Sequence, residues 1–145
     1  MITKVGTQVK FADAMRELLA LEYDAIEAYD VALSRLGSRV YRHKLLDFLE
    51  DHKRYIQELS EILDAHDQDL PELPSKGQWL AKGKVALASV VGDGAILSAI
   101  QSNEEDVIKA YERAVCSTDM WDDARYVLVN GLKDINIHEK WLSLN

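Results

Sequence analysis

Residues 19–36, LALEYDAIEAYDVALSRL, decide the fold. Leu19, Glu22, Ile26, Tyr29, Leu33 and Leu36 step by threes and fours, the repeat of one face of an α-helix. A carboxylate stands in the middle of that apolar stripe. Burying an ionised carboxylate costs several kcal/mol unless a partner neutralises it, so Glu22 marks a place where something else must be charged. The helix is expected over 9–36, because Gly37 stops it and Ser38 supplies the N-cap of the next one.

Working outward, Leu45, Leu49, His52, Ile56, Leu59 and Leu63 repeat the spacing, with Phe48, Tyr55 and Ile62 widening the stripe, and give a second helix over 39–67. Pro71 and Pro74 are the only prolines, and neither can continue a helix, so the chain divides there. The second half repeats the design. Leu97, Ile100, Glu104, Val107, Tyr111 and Ala114 predict a third helix over 94–117, and Ala124, Leu128, Gly131, Ile135, His138 and Leu142 a fourth over 120–143, opened by an Asp119–Asp122 capping box. Laying Tyr29 over Tyr111 pairs Glu22 with Glu104, Ala28 with Ala110 and Ala32 with Ala114, which reads as an internal duplication.

Short turns make helices one and two, and helices three and four, antiparallel hairpins. The crossover at 68–93, with a short helix over 76–91, carries the chain back along the bundle so that helices two and three run parallel. The expectation is one all-α domain over 1–145, a four-helix bundle of two hairpins joined by a long crossover.

Composition narrows the chemistry. With 145 residues, 48% hydrophobic and 29% charged, the chain is globular, and a net charge of −8 argues against nucleic acid or an anionic membrane as partner. Cations are the more plausible guests. A lone Cys116 precludes an intramolecular disulfide, and the start Met1-Ile2-Thr3-Lys4 lacks a secretory signal, so a cytoplasmic setting is expected. No Gly-rich phosphate loop or nucleophile elbow is present, and no residue is assigned a catalytic role.

The interior polar residues carry what chemistry there is. Glu22 lies 14 residues before Leu36 and His52 lies 13 after Arg39, so at about 1.5 Å per residue the two meet at one level of a hairpin. Glu104 and His138 reach a similar depth in the other hairpin. Two carboxylates and two neutral imidazoles suit a divalent iron, manganese or zinc ion. Tyr29 and Tyr111 would support this set from behind. The competing reading is a metal-free network in which histidines and carboxylates neutralise one another. His43 and His66 are read as solvent-facing, Cys116 as small packing, and Trp79, Trp121 and Trp141 as packing or contact residues, with an oligomer surface as the alternative for Trp79.

Glu22 with Tyr29 seven on, Glu104 with Tyr111 seven on, and histidines midway along helices two and four resemble the ferritin and rubrerythrin superfamily over about residues 10–142. The stretches Leu21 to Tyr29 and Asn103 to Asp106 are most similar to its small bacterial ferritin-like branch. The resemblance implies the bundle fold and a pair of irons held by a Glu from helices one and three and a Glu-x-x-His from helices two and four, used to oxidise ferrous iron or reduce dioxygen and peroxide. Leu49 and Ile135 stand three before His52 and His138, where that pattern needs carboxylates; Asp134, four before His138 and on nearly the same face, is the fifth candidate ligand, standing in for one of them. The implied function is therefore a ferritin-like metal-binding protein with a reduced site, handling iron or a small oxidant. The alternative is a structural or interaction bundle that has lost the chemistry, and a homodimer is the expected assembly.

Overall fold

In the computed structural model, residues 2–71 and 87–145 are described, with side chains from residue 11 onward. They form four helices: α1 (Ile2–Arg35), α2 (Arg39–Ala65), α3 (Asp93–Val115) and α4 (Asp122–Ser143). The expected crossover helix over 76–91 falls mostly outside the described residues, as does Trp79; of its residues 87–91, which are described, only Leu87 and Ala88 are helical. Helix α1 starts earlier than expected, since nothing in residues 2–8 forbids a helix except the isolated Gly6.

The turn after α1 is built as its residues dictate. Ser38 is extended, and its side chain accepts from the Tyr41 backbone N–H, satisfying one of the free donors at the start of α2. Asp119 does not cap α4. Trp121 holds the N-cap position without a side-chain bond, and Asp119 instead donates its backbone N–H to Ser117 Oγ.

Helix α1 packs against α2 and α3, and α4 against α3 and α2; the α2–α4 seam is the most thinly packed. Two apolar cores lie one above the other. One holds Phe11, Met15 and Leu18 of α1 with Leu59 and Leu63 of α2, Val107 and Ala114 of α3, and Ala124 and Leu128 of α4. The other holds Ala32 and Leu36 of α1 with Leu45 and Leu49 of α2, Ile96 and Ile100 of α3, and Leu142 of α4. The start of α1 thus meets the ends of α2 and α3, so α2 and α3 run together and α1 and α4 run the other way, the arrangement that the crossover demands.

Each sequence stripe is buried on α3 and α4. On α1 the centre of the buried face shifts to Ala25, Ala28 and Ala32, while Ile26 and Leu33 sit at its edge. His43 is exposed as expected, whereas His66 stacks flat on Trp121, with ring centroids 3.8 Å apart, and reaches Asp123. Cys116 is exposed rather than packed. Among the described residues, no helix is long and apolar enough to cross a membrane.

Candidate metal centre

Between the two cores lies a polar layer of four side chains: Glu22, His52, Glu104 and His138 are buried to within 1%. One comes from each helix, α1 to α4 in that order, because each stands where a three-or-four stripe crosses the middle of its helix.

The layer is tightly bonded. His52 Nδ1 lies 2.6 Å from Glu22 Oε1, and His52 Nε2 lies 2.8 Å from Glu104 Oε1. Glu104 Oε2 is 2.8 Å from His138 Nδ1, and His138 Nε2 is 2.8 Å from Asp51 Oδ2. At one end Tyr111 donates its hydroxyl to Glu22 Oε2 at 2.7 Å; at the other, Arg54 donates to Asp51 Oδ1 at 3.1 Å. A continuous chain of hydrogen bonds therefore leads from the buried Tyr111 to the half-exposed Arg54.

Electrostatics follow from this pairing. Burial alone lowers the pKa of His52, but the Glu104 and Glu22 carboxylates on its two nitrogens outweigh that and hold it well above 6.5. Burial pushes the Glu104 carboxyl up, yet His52 and His138 together bring it down to about 2. Burial first, and then the carboxylate beside each, raises the pKa of both Tyr29 and Tyr111.

Three of the five expected ligands converge. One donor atom each from His52, Glu104 and His138 lies within 4.8 Å of the others, all buried. Glu22 is one step removed, on the far nitrogen of His52. Asp134 corrects the sequence reading: its Oδ2 accepts from Tyr55 at 2.8 Å and from Arg54 at 3.0 Å at the α2–α4 surface, not in the polar layer. Asp51 takes the place beside His138 that Asp134 was expected to fill. It is next to His52 in sequence, about 100° round the helix from the stripe, so nothing in the periodicity singles it out.

The three convergent donors, two imidazoles and a carboxylate, fit a divalent ion. Leu49 and Ile135, three residues before the two histidines, are buried apolar side chains and offer no ligand. In favour of one ion, the buried Tyr29 hydroxyl lies beside Glu104 but has no hydrogen bond of good geometry. Both Glu104 oxygens already face imidazole N–H groups. An ion that took over those two nitrogens would leave a Glu104 oxygen for Tyr29, and a buried orphan hydroxyl costs about 1–3 kcal/mol.

The helix order, the crossover and the buried Glu and His layer define a ferritin-like four-helix bundle. Within that class the chain belongs to the family described as a domain of unknown function, DUF2383, whose family model matches residues 10–117. Its fold is similar to that of a conserved hypothetical protein from Mycobacterium tuberculosis, with a TM-score of 0.78 and 16% identity over 92% of this chain and 94% of that one. A second similar structure is described as ferritin-like, diiron-carboxylate proteins from Bacillus anthracis str. Ames, with a TM-score of 0.73 and 17% identity over 94% and 95% of the two chains. At such identities the likeness concerns the fold alone. No curated protein matches the chain.

Proposed function

We propose that the protein binds a single divalent metal ion through His52, Glu104 and His138. The observation that carries this reading is the convergence of those three buried donor atoms within 4.8 Å. Two imidazoles and a carboxylate suit iron, manganese or zinc, and such a set leaves coordination positions open. A bound ion would supply Lewis acidity, or one-electron chemistry if it were iron or manganese. Handling of iron or a small oxidant is the finer form of the proposal, supported by the description of the Bacillus anthracis neighbour.

A second reading has its own observation. Every ring nitrogen of His52 and His138 already faces a carboxylate oxygen, so the layer neutralises itself without an ion. On that reading the protein is a structural or interaction bundle.

Elemental analysis separates the two. Protein purified without chelator and loaded with iron, manganese or zinc should carry about one ion per chain, and Glu104→Gln should carry none. No metal above background in the unaltered chain would sink the metal reading. Following ferrous oxidation by absorbance then tests the finer form.

We also propose a homodimer. Tyr126, Val129 and Ile137 lie exposed along one face of α4, around the exposed Lys133, and would be covered by pairing along that helix. Light scattering should return a mass twice the 16.4 kDa of the chain, and a single-chain mass would refute the pairing.

A further inference from the structure

Each histidine of the layer is gripped on both sides, and the two sides differ. The inward nitrogens, His52 Nε2 and His138 Nδ1, both meet Glu104 at 2.8 Å. The outward nitrogens each meet a different carboxylate: His52 Nδ1 meets Glu22 at 2.6 Å and His138 Nε2 meets Asp51 at 2.8 Å. Each outer carboxylate is itself anchored through its second oxygen, Glu22 by Tyr111 at 2.7 Å and Asp51 by Arg54 at 3.1 Å.

A metal-bound histidine coordinates through one nitrogen and gives the other N–H to a carboxylate, which sets the tautomer, aims the ring and strengthens the ligand. We propose that Asp51 is a positioning residue of the metal centre: it holds the Nε2 proton of His138 so that Nδ1 faces the ion, as Glu22 does for His52. This rests on the single-ion reading.

Three features support it. Phe48 stacks on the His138 ring at 4.0 Å with 23° between the planes, so packing fixes the ring face while Asp51 fixes its rotation within that plane. Asp51 is 31% exposed but tethered, because Arg54 bridges it to Asp134 across the α2–α4 seam. The arrangement also explains why two carboxylates in matching places differ in role. Glu22 and Glu104 each touch Nδ1 of the histidine in their own hairpin, yet Asp51 occupies the far nitrogen of His138, which leaves Glu104 as the carboxylate shared by both rings.

The test is a Co²⁺ titration of the full chain, followed by visible absorption. Asp51→Ala should weaken Co²⁺ binding about 10–100-fold and alter the Co²⁺ spectrum, since His138 loses its aim. Asp51→Asn, whose amide oxygen still accepts from Nε2, should recover the spectrum and part of the affinity. Glu50→Gln, which removes an exposed carboxylate that meets Lys53 and no histidine, should match the unaltered chain. Melting curves of the metal-free variants report folding, and the Asn variant carries the test if the Ala variant fails to fold. Unchanged Co²⁺ affinity and spectrum in Asp51→Ala, or an equal loss in Glu50→Gln, would overturn the role of Asp51. Absence of any Co²⁺ spectrum in the unaltered chain would instead overturn the metal centre itself.

Discussion

His52 is the residue through which protons and metal compete. In the metal-free protein its stabilisation, set by a raised pKa, is fully present below pH 6.5 and is lost as pH rises through the folded value. Glu104 has the opposite sign: its contribution is present above pH 4.5 and is lost as pH falls through about 2. Urea midpoints of the metal-free protein should therefore peak between those limits and decline on both sides; a flat profile would contradict the bonded layer. A metal ion needs the lone pair of His52 Nε2, so binding should release a proton and tighten as pH rises. Calorimetry in two buffers of different ionisation enthalpy measures that release. The two tyrosines make a second residue-scale contrast. Tyr111→Phe removes a donor from a buried carboxylate and should cost about 1.5–3 kcal/mol of metal-free stability. Tyr29→Phe removes a hydroxyl with no good bond and should leave stability unchanged or raise it by about 1 kcal/mol, as chemical denaturation would show.

The helices show how two similar hairpins come to differ. Aligned on the histidines, Gly131 of α4 corresponds to Leu45 of α2, and Asp51 of α2 to the exposed Ile137 of α4. Gly131 is there for Tyr111. A Cβ at this position would lie 2.7 Å from Tyr111 Cε1 and 3.2 Å from its hydroxyl. Because Tyr111 is wholly buried and tied to Glu22, its ring cannot step aside cheaply. Gly131→Ala should therefore destabilise by about 1–3 kcal/mol despite the better helix propensity of alanine, measured by thermal or urea unfolding. The stripe of α4 was legible because its buried residues keep strict helical spacing. The lateral shift on α1 was not, since whether Ile26 or Ala25 faces the axis depends on how closely the neighbouring helices approach.

Across the molecule, the hairpins are joined at one end by a carboxylate. Asp93, in the first turn of α3, accepts from the backbone N–H groups of Gly37 and Ser38 at 2.8 and 2.9 Å, tying the α1–α2 turn to the start of the second hairpin. Arg35 donates to the Leu87 carbonyl beside it, so the returning crossover is pinned to the same end. Asp93→Ala should cost about 1–2 kcal/mol, read from chemical denaturation, while leaving the metal stoichiometry intact, because the polar layer lies far along the bundle between the two cores. A loss of metal binding in that variant would show that the two ends of the bundle are coupled.

What the sequence determined by itself was the number and direction of the four bundle helices and the depth of Glu22, His52, Glu104 and His138, since periodicity and a rise of about 1.5 Å per residue are local properties of the chain. Tertiary structure decided which nitrogen faces which carboxylate. Asp51 and Asp134 both lie near the stripes, and only the crossing of α2 and α4 turns one toward His138 and the other toward Tyr55 and Arg54. Those choices depend on rotation about helix axes and on side-chain torsions, which no spacing along the chain encodes.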